Sequence, residues 1–119
     1  MNVDDFLYVM DRINMEIHGV EEIKNVKDRC NLLIGLYRAK TRCLEDFSRK
    51  GMPVNEEDIN ESMSELAGSY AYRMIICYNE GNVKKAKEYF MKSEETLSKC
   101  RDVFRTSRLL ELYKNFLSS

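Results

Sequence analysis

His18 is the single histidine of the chain, and Arg12 stands six residues before it. An imidazole and a guanidinium could act together on a phosphodiester, the ring moving a proton and the cation holding charge. On an ideal helix six residues turn through about 600°, which leaves the two side chains about 120° apart in direction. His18 also has a plainer role at the end of a helix, where the negative end of the dipole favours its charged form. Other histidine chemistries lack parts. A di-metal carboxylate bundle needs Glu-x-x-His on two helices, and the chain has no such tetrad. Ser–His–Asp and Cys–His schemes require His18 as the base, and neither a nucleophile elbow nor a phosphate-cradling glycine loop occurs. We therefore assign no catalytic, cofactor-binding or metal-binding residue, and expect no cofactor.

The Arg12-x5-His18 spacing resembles the nuclease motif of HEPN-domain proteins, which are also all-α. That resemblance implies an alternative function, RNA processing with Arg12 and His18 at one phosphate.

Four cysteines lie at positions 30, 43, 77 and 100. None forms a C-x-x-C pair and the spacings match no common zinc site. Each falls on or beside an apolar helical line, so the expectation is reduced, buried thiols in a cytoplasmic protein. A Cys77–Cys100 disulfide across a hairpin is the competing reading. Arg38, Lys40 and Arg42 form one basic cluster, and Lys84, Lys85 and Lys87 another, each with acids close by. With 19 basic and 20 acidic residues interleaved, the chain as a whole has no electrostatic footprint for nucleic acid. The segment MNVDDF is acidic and lacks the basic-then-apolar order of a signal peptide. No apolar run approaches the roughly 20 residues a membrane span needs.

Seven tyrosines and seven methionines remain. Most sit at core spacing, yet methionine also lines adaptable binding grooves. Tyr70 and Tyr72 are two apart and so face different ways on a helix. With Tyr70 inward, Tyr72 becomes a candidate exposed anchor, as do Met91 and Tyr113. The segment Arg108 to Leu117 is dense in apolar residues, among them Leu109, Leu110, Leu112, Tyr113, Phe116 and Leu117. It either closes the core or offers a partner surface. The candidate partner-binding set is Tyr72, Met91, Leu109, Leu110, Tyr113 and Phe116.

The elements that must position these residues are helices. Hydrophobic residues make up 44% and charged residues 33%, too apolar for disorder and too charged for a membrane protein. One proline and five glycines in 119 residues leave long helices unbroken. The organising stretch is Glu65 to Lys99. Its apolar positions fall on one face of each of two helices: Leu66, Tyr70, Met74 and Cys77 going in, and Val83, Ala86, Phe90 and Leu97 coming out. Gly81 suits the left-handed position that ends the first helix, and Asn82 can cap the second. The line Tyr70, Met74, Cys77, Gly81, Val83, Ala86, Phe90, Ser93 resembles one unit of the tetratricopeptide repeat, a helix–turn–helix of about 34 residues. Ala86, Phe90 and Ser93 carry the spacing, whereas Met74 and Cys77 stand where that family has a small residue and an aromatic. The resemblance implies a protein-binding helical scaffold.

Elsewhere, Asn2 or Asp4 can cap a first helix whose buried line is Phe6, Met10, Ile13 and Ile17, and Gly19 is placed as its C′ residue. A second helix then spans about Glu21 to Arg49. The alternative carries the first helix through Gly19 to a break at Lys24-Asn25, with Asn25 capping the next. The second helix is apolar nearly all round in its middle and should be covered on two sides, with Gly35 at a close helix approach. Gly51 and Pro53 end it, and Asn55 caps a third helix to about Glu80, with Asp58 as a loose capping-box partner. The fourth begins near Val83. Ser107 caps a short fifth, Arg108 to Leu117. The expectation is one all-α domain over residues 1–119, a bundle of four long helices and a short fifth. Its expected function is a non-enzymatic protein–protein interaction or assembly module, as a homodimer or with another protein, and not with a membrane.

Overall fold

A computed structural model describes residues 2–101 and 104–118, and they form an all-α bundle. The helices are α1 (Val3–Val20), α2 (Val26–Arg49), α3 (Glu56–Asn79), α4 (Val83–Leu97) and the shorter α5 (Phe104–Leu117). The first four all begin on asparagine, whose side-chain oxygen accepts a backbone N–H one turn in. Asn2 Oδ1 accepts from Asp5 N–H at 2.9 Å and the Asn2 backbone N–H donates to the Asp5 carboxylate in return, a full capping box. Asn25 accepts from Asp28, Asn55 from Glu57 and Asn82 from Lys85. The Asn55 cap uses Glu57 N–H, so the looser Asn55–Asp58 box is not the one formed.

Two helices stop by the same device. Gly51 and Gly81 carry positive φ, +82° and +83°. Behind Gly81, Asn82 N–H reaches Cys77 C=O at 2.9 Å and Gly81 N–H reaches Tyr78 C=O at 3.0 Å; behind Gly51 the partners are Phe47 and Ser48. Both are Schellman motifs, and the left-handed residue they require is glycine at little cost.

Three expectations need correction. Gly19 does not end α1; the helix continues to Val20 and α2 starts at Val26, the alternative break with Asn25 as cap. Val20 is 6% exposed, and burying a valine stabilises by about 1.5–3 kcal/mol, more than the roughly 1 kcal/mol that one helical glycine costs. Gly35 marks no close approach, since a Cβ there would meet nothing within 4 Å. α5 begins at Phe104, which places Thr106 and Ser107 inside the helix, with Thr106 buried against the bundle.

Packing follows chain order. α1 rests on α2, α2 on α1 and α3, and α3 on α2, α4 and α5. Laying helices side by side gives an elongated body, 51 × 30 × 20 Å, with two apolar centres. Phe6, Met10, Leu44 and Phe47 form the first, where Phe6 meets Phe47 edge-on at 4.9 Å. Ala71, Met74, Cys77, Ala86, Leu110 and Leu117 form the second. Small polar residues let α3 approach its neighbours closely. Ser62 and Thr41 hydroxyls share a hydrogen bond of 2.8 Å between α2 and α3, and Ser93 Oγ donates to Ala67 C=O at 2.7 Å between α4 and α3. No helix among the described residues is long and apolar enough to cross a membrane.

Candidate functional site

Tyr72 of α3 and one face of α5 together line a groove. α5 packs against both hairpin helices. Near the end of α4, Arg101 N–H donates to Asn60 at 2.6 Å, and the Arg101 guanidinium pairs with Glu57 at the start of α3. Leu110 and Leu117 turn inward from α5 into the core. Residues 105, 108, 109 and 112 occupy another face, at the three- and four-residue steps that align side chains on a helix. Beside Tyr72 of α3, that face gives a groove of ≈ 750 Å³ lined by Tyr72, Arg105, Arg108, Leu109, Glu111 and Leu112. Tyr72 is 53% exposed and Leu112 57%.

The expected anchors separate accordingly. Tyr72 and Leu109 share the groove. Leu110 belongs to the core at 6% exposure and is removed from the set, because its place on α5 points at Ala71, Met74 and Ala86. Tyr113 is half-buried and meets Tyr78 and Phe116 edge-on, both at 5.5 Å, and Phe116 stacks on Tyr78 at 5.8 Å. These three rings tie α5 to the end of α3. Met91 is exposed on α4, on the face turned away from Ala86 and Ser93, and does not line the groove. Arg105 and Leu112 were not among the expected anchors. Their signal is the spacing 105, 108, 109, 112, which is readable only once α5 is known to start at Phe104.

A second groove lies between α1 and α3 across α2, ≈ 380 Å³ in volume. Phe6, Met10 and Leu44 of the first apolar centre back it, the exposed Leu7 stands at its edge, and its walls carry Asp11, Asp58, Glu61 and Glu65 against the single cation Lys40. Tyr37 also lines it, and burial followed by the nearby Glu65, Glu21 and Glu61 carboxylates pushes that phenol above its ordinary pKa.

The other chemistry-bearing residues lie apart from these grooves. Arg12 pairs with Glu16 at 3.7 Å and His18 approaches Glu21 at 3.8 Å, both largely in solvent on α1, and neither lines a groove described above. All four cysteines are thiols, Cys30 and Cys77 buried and the other two half-buried. Burial pushes the Cys30 and Cys43 thiols up, against the reactive thiolate form. Among the described residues no group of three or more His, Cys, Asp or Glu side chains is placed to hold a metal ion. Arg73 is a buried cation that periodicity conceals inside the hairpin. Its guanidinium donates to Asn31 of α2 at 2.7 Å and to Cys77 Sγ at 3.2 Å, and lies 5.2 Å from the Tyr89 ring. It joins α2, α3 and α4 beside the second apolar centre.

No protein-family model, curated protein or solved structure matches this chain.

Proposed function

We propose that this chain is a non-enzymatic protein–protein interaction or assembly module that docks through the groove between Tyr72 and α5. The supporting observation is that Tyr72, Leu109 and Leu112 line one groove with arginines beside them, while α5, which carries the two leucines, already buries Leu110 and Leu117 in the core. Aromatic and arginine side chains around an apolar centre are the composition that protein interfaces favour. The single tetratricopeptide-like hairpin supports the same reading, since an antiparallel pair extended by a further helix presents an uncovered helix face.

Tyr72→Glu with Leu112→Glu tests it. Both side chains are more than half exposed, so stability should stay within about 0.5 kcal/mol of wild type. The wild-type protein is expected to bind an apolar dye and to retain a protein partner, in-cell or its own copy, and the double variant to lose both. A wild-type monomer at high concentration that binds no apolar dye overturns the reading. Leu110→Glu is the contrasting variant and should unfold the C-terminal helices.

A further inference from the structure

Charge is unevenly divided along the chain. Residues 1–65 hold nine basic and fourteen acidic residues, and residues 66–119 hold ten and six. The division reaches the two grooves. The one between α1 and α3 has four carboxylates against one lysine. The one at α5 has Leu109 and Leu112 flanked by Arg105 and Arg108, with one carboxylate, Glu111. The first is a concave acidic surface with the exposed Leu7 at its edge. The second stands on a helix face that presents two arginines and two leucines at helical spacing. They lie on different helices, α1–α2 with the first turns of α3 for one, and α5 with Tyr72 for the other, so one molecule cannot close them on each other without unstacking.

We propose that a second copy of this chain occupies the acidic groove, its α5 placing Leu109 and Leu112 over Phe6, Leu7 and Met10 while Arg105 and Arg108 meet Glu61, Glu65 and Asp11. This deepens the interaction reading above and rests on it, naming the partner as the chain itself. A groove of ≈ 380 Å³ has room for side chains and not for a whole helix, so α5 lies across its mouth. Opposite charges at the walls set register, steer the encounter and supply the part of the affinity that salt removes. Because the two surfaces differ, the contact is head-to-tail. Each bound copy leaves one groove and one α5 face open, and association continues to rings or filaments unless the rotation closes it at once. Tyr37 lines the same groove, its phenol pushed above its ordinary pKa by burial first and then by the Glu65, Glu21 and Glu61 carboxylates.

The test is molar mass of the full chain by light scattering over a concentration series. At low salt (~20 mM) the mass should climb past twice the monomer, and at ~0.5 M it should return to the monomer, because exposed charges are then screened within a few ångströms. Arg105→Glu/Arg108→Glu and Glu61→Lys/Glu65→Lys change exposed side chains, and each variant alone should stay monomeric with wild-type helicity. Mixed one to one they should associate again, since the reversed α5 of one fits the reversed groove of the other. If Glu61→Lys/Glu65→Lys loses helicity, Asp11→Lys on α1 takes its place. A symmetric dimer untouched by the groove reversals overturns the proposal, as does a mixture that stays monomeric. A monomer at every salt that still retains another protein through Tyr72 and Leu112 overturns self-docking and leaves the interaction reading standing; a monomer that retains nothing overturns both.

Discussion

The two apolar centres differ in how tightly their helices close, and in the first it is α1, not α2 with Leu44 at 2% and Phe47 at 3%, that stays looser. Around α3 and α4, Ala71, Met74, Ala86 and Ser93 are all at 0% exposure. Around α1 and α2, Phe6 and Met10 keep 9%, and α1 turns Leu7, Tyr8 and Met15 to solvent at more than half exposure. The difference is one of neighbours. α3 has helices on three sides, whereas α1 has α2 alone. A helix with one neighbour can bury only one stripe, however apolar the rest of its surface. Closure in this fold is therefore set by position in the helix order, and the open end carries the acidic groove.

That contrast gives the largest expected effect. Met74→Ala should destabilise by about 2–5 kcal/mol, because a fully enclosed site relaxes least around the cavity. Met10→Ala, at the looser centre, should cost clearly less. Chemical denaturation of the two variants measures this, and equal losses would break the comparison. Native-state hydrogen exchange should agree, with α1 amides opening at lower free energy than those of α3 and α4.

The buried cation beside the second centre comes next. Asn31 Oδ1 is the oxygen acceptor for the buried Arg73 guanidinium, and its other neighbours are a sulfur and a ring face. Asn31→Ala leaves a desolvated cation short of a strong acceptor and should destabilise by about 1–3 kcal/mol. A thermal midpoint unchanged from wild type would show that the Arg73 guanidinium does not depend on Asn31.

Glycines sharpen the comparison further, with opposite signs. Gly81→Ala forces a Cβ into the left-handed region behind the tight hairpin and should destabilise by about 1–2 kcal/mol. Gly35→Ala, in the exposed middle of α2 with nothing within 4 Å, should stabilise by about 0.5–1 kcal/mol. Thermal melts of both variants report the signs directly.

What was legible in the sequence divides along the same line. The α3–α4 hairpin, its Gly81 stop and its Asn82 cap read directly, because backbone rules act over a few residues and tertiary packing reinforces them. The Gly19 boundary misled because a buried Val20 one residue later outweighs a local stop signal. Gly35 misled because a glycine in a helix can mark a close approach or simply an exposed face, and only the neighbouring helices decide. The groove at α5 was half visible. Tyr72 and Leu109 stood out as surplus apolar side chains, but Leu110, adjacent in sequence, belongs to the core, and no periodicity separates the two until the register of α5 is known. The acidic groove left no local trace, since Asp11, Glu61 and Glu65 come together only when α1 and α3 flank α2.

The smallest effect distinguishes the two Schellman turns. Their backbone bonds are alike, but the α2–α3 turn is also held by Asp46, which meets Lys50 at 3.0 Å and Arg49 at 3.8 Å. The hydrogen bond from Lys50, with the charges of Lys50 and Arg49, lowers the Asp46 pKa below its ordinary 3.8. A carboxylate whose folded pKa lies below its unfolded one stabilises the fold above the unfolded value, and that contribution is lost as pH falls through the folded value. Asp46→Asn should therefore be slightly less stable than wild type at pH 6, and the difference should vanish as pH drops below 3.8 toward acid. Amide exchange at Gly51, measured for both proteins across that range, reads the turn itself. The Gly81 amide should respond equally in both, because its bond to Tyr78 C=O involves no part of Asp46. A difference between the two proteins that persists in acid would mean that Asp46 holds the turn through its shape and not through its charge.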